Sequence, residues 1–500
     1  MHAETHAPPF MEAPVIPRTV RSATPLVCLL LALPARAEPP PVREATLKEQ
    51  LGTLLGRPTG LRAGEMAQRA VFTSFHIQES RQQLVAAVAA VDQALVAYFP
   101  RLQSSARYAR LSNIAAPLVG TLVVAPTELS GPLPEGSPLI NAPFSFPVLL
   151  NQYVLQASLT LPLSDYLTRL RPGHAAAQAA AEAAKLNERA AVQKVKAEAR
   201  VTYYVWVRAR LQVLVAEQAL AQSQGHLTDL RHLYSAGSVP QVNVLRVESE
   251  VAKAELFLER SRDLAVLLED RVRTAMHEPS APESRPYEIG EDVRDELPPL
   301  HWSSDFTALL LHAVDRRPEL QALDRTAWAL RKQVTVAQAG VWPKLEGFGE
   351  LIYANPNPRY FPPQNEFKLT WSAGAQISWS PNDLGIGLAV GRATRARAAQ
   401  VEAQRGALMD ALRDEVMLAY QGHREAEMAV RTTDRGLAAA EESYRVRRAL
   451  FQSGGTTSIE LTDASMELTR CRLEALNALV DLRIARVRLL YAIGAEQDGL

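Results

Sequence analysis

The sequence predicts a mainly α protein with a small β part, in which long helical hairpins and paired amphipathic strands occur twice. Three observations predict it. One apolar seam of 3-4-3-4 spacing recurs 217 residues further along the chain. A pair of segments with period-2 alternation precedes each long helical pattern. A proline at a helix-to-strand junction opens each pair.

The elements follow in chain order. Arg18 and Arg21 precede the short apolar run Ala23 to Leu33, then Pro34 and Ala35-Arg36-Ala37. A basic region, a short apolar region and an A-x-A site form a secretory signal pattern over 1–37. The run is too short to span a membrane. Met11 offers an alternative start, and Pro25-Leu26-Val27 lacks the small residues that precede a lipidated cysteine at Cys28. Residues 38–60 read as an N-terminal extension. The first repeat covers 61–277, a Pro-rich acidic connector 278–305, the second repeat 306–493 and a tail 494–500.

Within each repeat a helix ends at a proline, in Ala97-Tyr-Phe-Pro-Arg-Leu-Gln and in Gly340-Val-Trp-Pro-Lys-Leu-Glu. Strands follow Pro100 and Pro343. In the first repeat they are RLQSSARYARL and NQYVLQASLTLPL, joined by a long Pro/Gly-rich loop from Ala116 to Pro147. In the second they are KLEGFGELIY and FKLTWSAGAQISWS, joined by ANPNPRYFPPQNE. In the last strand Phe367, Leu369, Trp371, Ile377 and Trp379 share one parity, and Lys368, Thr370, Ser372 and Gln376 share the other.

Long helical patterns then run from about His174 to Tyr234 and from about Ile386 to Phe451. At 1.5 Å per residue each spans roughly 90–100 Å. They turn at Ser-Ala-Gly-Ser and Ser-Gly-Gly-Thr, where Gly237 and Gly454 suit helix C-caps. The returning helices carry the seam. It is Val244, Val247, Val251, Ala254, Leu258, Ser261, Ala265, Leu268 and Val272 in the first, and Leu461, Ala464, Leu468, Cys471, Ala475, Ala478, Leu482, Ala485 and Leu489 in the second. This spacing belongs to helices packed lengthwise. It makes Cys471 a buried seam residue. With Cys28 in the signal segment, no intrachain disulfide is available to the mature chain.

Composition excludes several classes. Lys+Arg and Asp+Glu are both 54, and no basic stripe with interleaved aromatics supports nucleic-acid binding. No Walker motif, H-E-x-x-H or nucleophile elbow is present, so no enzyme, cofactor or metal is expected. The histidines are scattered, with His226 and His232 six apart, and read as ordinary surface residues. Four strands per chain cannot close a barrel, and lipid does not tolerate an open sheet edge. Several chains must therefore pool their strands if the apolar parity faces a bilayer. The other reading of the strands is one face of a soluble sandwich.

The doubled architecture, the Pro100 and Pro343 junctions, the segment His312-Ala-Val-Asp-Arg-Arg-Pro-Glu-Leu-Gln-Ala and the tips LYSAGSVPQVNVL and LFQSGGTTSIELTDA together resemble the TolC-like outer-membrane efflux protein family. The resemblance covers nearly all of the mature chain. It implies a homotrimer in which a 12-stranded outer-membrane barrel continues into an α-barrel across the periplasm. It implies a passive exit duct for efflux or type I secretion, an adaptor protein at the tips and an inner-membrane pump, with drugs, metal ions and polypeptides all open as cargo. Glu460 and Asp463 match acidic positions that line the periplasmic aperture in that family. Gly237, Ser238, Gly454, Gly455 and Thr456 match the tip turns that an adaptor meets. From spacing alone Glu460 and Asp463 are equally an acidic helix start favoured by the helix dipole, and the glycines simple turn residues. The rival readings are a periplasmic adaptor or a structural coiled coil of the envelope. An adaptor would show one hairpin between soluble β-domains, and a coiled coil would need no paired strands.

Overall fold

The computed structural model describes residues 47–113, 118–124, 132, 135–136, 139–145, 148–278, 286–299 and 305–495. The signal segment, most of the tail and part of the connector lie outside the described residues. Helix α1 is Leu47–Leu54, α2 Ala63–Thr73 and α3 Phe75–Val96. Strand β1 is Arg101–Arg110, β2 Leu118–Val124, β3 Ile140–Ser145 and β4 Asn151–Leu161. A π turn over Tyr166–Leu170 leads into α4, Arg171–Ser235, which returns as α5, Gln241–Ala275. The second repeat supplies α6 Phe306–Arg316, α7 Pro318–Gln338, β5 Lys344–Asn355, β6 Lys368–Ser378, α8 Pro381–Gln452 and α9 Ser458–Ala492.

The repeat is kept to the residue. Both ends of α2 and α6 are 243 apart, and both ends of α5 and α9 are 217 apart. The offset differs because the first hairpin carries a longer insertion between its strands. That insertion was expected to be a loop; it holds the separate two-stranded ladder β2–β3. Leu122, Val123 and Val124 pair there with Ala142, Asn141 and Ile140. The surrounding prolines and glycines obscure two strands of only six and seven residues.

Helices α4 and α8 have 65 and 72 residues, so each is about 100 Å long. Pro381 occupies the first turn of α8, where its missing N–H costs nothing, and α8 starts five residues before the expected Ile386. The alternation LGIGLAVG hides that start. Gly387 is buried there, and a Cβ would lie 3.1 Å from the Ala337 carbonyl of α7, so a larger residue must push the two helices slightly apart. A close helix crossing replaces side-chain packing at this point.

The seams are buried as their spacing predicts, Cys471 included, with Ala254 half-buried. The upper end of the second seam rotates. Leu482 and Ala485 are half-buried, while Ile484, Arg486, Val487 and Leu490 are buried. At that level α9 is enclosed by α4, α6 and the connector rather than by α8 alone.

The extension and connector, unassigned from sequence, pack on each other. Leu61 and Ile289 form a parallel bridge, and Gly60 meets Gly290 so closely that a Cβ on Gly60 would sit 2.5 Å from the Gly290 nitrogen. The Tyr203 hydroxyl donates to the Leu61 carbonyl at 2.8 Å, and that of Tyr204 donates to Glu291 at 2.9 Å. Glu291 also accepts from the Ala63 N–H at 2.8 Å. Burial pushes both phenols well above their ordinary range, with Glu291 adding to it, so they stay neutral donors. Met66, Trp206, Met276 and Ile289 complete the core of this belt around the middle of the hairpins.

Candidate functional site

The sheet has two chemically distinct faces. Its order is β1-β4-β5-β6, all antiparallel, so β1 and β6 are its edges. Register places Leu369 beside Tyr353, Tyr353 beside Leu155 and Leu155 beside Ala106. Trp371 stands beside Leu351 on the same parity. On this face Trp371 is 73% and Ile377 75% exposed, and Phe367, Leu369 and Trp379 are exposed too. Such exposure of large apolar groups marks a surface that meets something other than water.

The opposite face is polar and internally bonded. Glu350 accepts from Gln156 at 2.6 Å and from Arg359 at 2.7 Å, and Arg359 reaches Ser372 at 2.8 Å. Gln376 donates to Glu346 at 3.1 Å. All five predicted apolar residues fall on the first face.

Aromatic side chains collect at both ends of the apolar face. At the end away from the helices, Tyr108 and Tyr153 lie 4.9 Å apart, and Tyr353 and Phe367 5.1 Å apart. At the helical end Phe99, Trp342 and Trp379 are exposed, with the Trp379 indole donating to the Val341 carbonyl at 3.3 Å. Two aromatic girdles with an apolar band between them suit the two interfaces of a bilayer. Strand alternation in the sequence marks Tyr153, Phe367 and Trp379 among these. The strand parity of Tyr108 and Tyr353 is the signal that could have found those two.

The tips at the other end are built from one template. Gly237 and Gly454 take φ of +73° and +78°, a region that favours glycine. The Ser238 N–H donates to the Leu233 carbonyl at 2.9 Å, and the Gly455 N–H to the Leu450 carbonyl at 2.7 Å. The Gly237 and Gly454 N–H groups donate to Tyr234 and Phe451 at 2.9 and 3.0 Å. These paired bonds satisfy the last carbonyls of α4 and α8. Gly237, Ser238, Gly454 and Gly455 are exposed and Thr456 is half-buried.

The starts of the returning helices differ. Pro240 precedes α5 and offers no capping side chain. Thr457 caps α9 by accepting from the Glu460 N–H at 3.3 Å. The Thr456 hydroxyl donates to the Glu460 carboxylate, and Arg447 reaches the Glu460 carbonyl at 3.5 Å. Glu460 is thus an integral part of the turn, in the T-x-x-E pattern of a capping box. Asp463 lies one turn further along, exposed like Glu460. Their counterparts Asn243 and Arg246 carry no like charge.

One residue near the tips was misread. His226 is not an ordinary surface histidine. Its Nε2 lies 3.0 Å from the Ser458 hydroxyl, and its ring meets Phe451 edge-on at 5.0 Å. Its partner is 232 residues away, so no local pattern could have revealed it.

Among the described residues no helix is long and apolar enough to cross a membrane.

The fold is that of known channels. The outer-membrane channel OprN shares 18% identity at a TM-score of 0.66, covering 89% of this chain and 95% of that one. The Campylobacter jejuni outer membrane channel CmeC shares 12% identity at a TM-score of 0.70, covering 87% of each chain. The open state of the Neisseria gonorrhoeae outer membrane channel MtrE shares 14% identity at a TM-score of 0.66, covering 89% of this chain and 94% of that one. None of the curated proteins matches the sequence. The family model described as "Outer membrane efflux protein" matches residues 66–275 and 309–495, which takes in both repeats. Members of this family are non-enzymatic transport proteins that generally form trimers and work with adaptor and pump partners. The chain therefore belongs to the outer membrane efflux protein family, and it is an outer-membrane exit duct of an efflux system that extends into the periplasm.

Proposed function

We propose that three copies of this chain close their sheets into one barrel through the free edges of β1 and β6. Phe367, Leu369, Trp371, Ile377 and Trp379 then face lipid, and the face of Glu346, Glu350 and Arg359 lines the lumen. The division of the sheet into an apolar and a polar face carries this reading. Lipid admits no open strand edge, so four strands with two free edges need neighbours. The repeats 61–277 and 306–493 are the structural units of each protomer. The tips at Gly237, Ser238, Gly454, Gly455 and Thr456 dock a periplasmic adaptor, and a separate inner-membrane pump supplies energy to this passive duct.

Glu460 and Asp463 line the periplasmic aperture in this proposal. Three copies bring six carboxylates together, which favours bound cations. The capping contacts of Glu460 assign it a structural task as well. A cation added on the periplasmic side of a planar bilayer should block current through the trimer. Glu460→Ala with Asp463→Ala should lose that block, and Asn243→Ala with Arg246→Ala should keep it. Block undiminished in the carboxylate variant would leave both residues with the helix start alone.

Barrel closure is tested separately. Trp371→Arg should lower outer-membrane assembly through a cost of about 2–4 kcal/mol, whereas Ser372→Arg on the polar face should cost much less. Equal loss in the two variants, or a stable monomer that conducts, would overturn the shared barrel.

A further inference from the structure

The two hairpins of one protomer touch near their tips through α4 and α9. Leu227, Leu230, Val244, Val247, Phe451 and Leu461 form one cluster there, drawn from both hairpins. A polar contact also crosses this boundary, between His226 on α4 and Ser458, the first residue of α9. Ser458 is buried. The other side of the ring is closed as well, because Nδ1 of His226 is buried with no hydrogen-bond partner. A small cavity of about 40 Å³ adjoins it, lined by Gln222, Ser223, Glu250, Tyr444, Thr462 and Ser465 among others.

We propose that His226 is a positioning residue for the second tip: its neutral ring holds the start of α9 against the first hairpin, and its protonation releases that tip. The inference rests on the reading of Glu460 and Asp463 as aperture residues, because Ser458 lies two residues before Glu460 on the same helix. The proton acts on a definite contact. A neutral ring can accept the Ser458 hydroxyl proton at Nε2 or donate to its oxygen. A protonated ring is a double donor, and its second proton sits on Nδ1, which has no hydrogen-bond partner in the packed tip. A buried charge without a partner is costly, and separation of the hairpins lets water reach it.

The charged and titratable surroundings are few. Asp229 lies on α4 one turn on, Glu250 faces the cavity from α5 and Tyr444 from α8, while α9 presents Ser458, Thr462 and Ser465. Burial lowers the His226 pKa below its ordinary 6.5, and the Asp229 charge and the Ser458 bond offset only part of that. The packed tip therefore holds fewer protons than a tip in which the ring is hydrated. Packing is fully favoured above the ordinary value and loses ground as pH falls below it, down to the depressed value. Over that interval the separation equilibrium should shift by about tenfold per pH unit for each protomer.

The test uses the full trimer with spin labels on Ser235→Cys and Gln452→Cys in a Cys471→Ser background. The distance between labels on the two hairpins should lengthen between pH 7.5 and 5.5. In His226→Gln, which stays neutral and can still bond Ser458, the distance should be independent of pH. Ser458→Ala should lengthen it already at pH 7.5. Identical pH profiles for His226 and His226→Gln would overturn the proposal, as would a wild-type distance that does not change. Loss or persistence of cation block in the carboxylate variant reports on the aperture and not on this distance, so the two readings fail separately.

Discussion

The two repeats share a topology and differ in how they hold the middle of the molecule together. In the first, aromatic side chains do it: Trp206 and Tyr203 are fully buried under the belt of extension and connector. The position 217 residues after Trp206 is His423, also buried, which pairs with Glu427 at 3.5 Å. The junction between the two short helices shows the same contrast. Ser74 stands between α2 and α3 and caps α3 through the Ile77 N–H at 3.5 Å. The equivalent Arg317 between α6 and α7 is buried. It bonds Glu319 at 3.1 Å, Glu415 at 3.2 Å and the Tyr491 carbonyl at 3.2 Å, and lies 4.6 Å over the Tyr491 ring. One backbone plan thus tolerates an aromatic or a polar solution at equivalent positions.

The largest expected effect separates these two junctions. Arg317→Ala removes the side chain that bridges Glu319, Glu415 and the last carbonyls of α9, and should cost about 1.5–3 kcal/mol. Ser74→Ala removes one cap and should cost about 1 kcal/mol. Denaturant midpoints of the detergent-solubilised protein measure both. Equal losses would mean that Arg317 is only a cap like its counterpart.

The ends of α5 and α9 come next. Gly494 takes φ of +71°, and a Cβ there would lie 3.0 Å from the Arg316 Cβ. The matching residue of the first repeat is His277, at φ of +53°, with its ring 4.7 Å from Phe75. Gly494→Ala should cost about 1–3 kcal/mol from backbone strain, before any clash. His277→Gly relieves strain while losing a ring contact, so its change should be under about 1 kcal/mol in either direction. A Gly494→Ala variant of unchanged stability would remove the asymmetry.

At the tips, Thr457→Ala should cost about 1 kcal/mol by uncapping α9, whereas Pro240→Ala loses no side-chain cap. Hydrogen exchange of the first turns of α9 and α5 would sharpen this difference. The smallest effect concerns acid. Burial lowers the His423 pKa, Glu427 opposes the shift and Arg486 adds to it. Its contribution to stability is therefore full above the ordinary value near 6.5 and falls as pH drops below it. His423→Leu should narrow the gap between melting temperatures at pH 7.5 and 5.5. An unchanged gap would place the acid sensitivity elsewhere.

Periodicity made the hairpins, the seam and the strand parity legible, because each is a property of neighbouring residues. Trp371 and Cys471 could be placed that way. The belt could not, since Gly60 and Gly290 are joined by proximity alone. Nor could Arg317, which sits inside a recognisable motif but draws its partners from α8 and α9. The tips were only half legible. Gly237 and Gly454 announce the turns, while the attachment of His226 to Ser458 depends on how two distant hairpins are laid together.

The Gly60–Gly290 crossing also sets a timetable. Ala63 and Glu291 are 228 residues apart, and a chain delivered N-terminus first cannot join them until the middle of the sequence has arrived. Residues 57–63 then wait without their carbonyl and N–H partners, while the α4–α5 hairpin can already zip from its own tip. Long-range closure of this kind is slow, because the loop must be gathered before any contact rewards it. A chain ending after residue 277 should therefore leave the segment 57–63 open to proteases while its hairpin resists them. Closure of residues 57–63 on 288–291 therefore marks the arrival of the connector at the middle of the chain, before the second repeat follows.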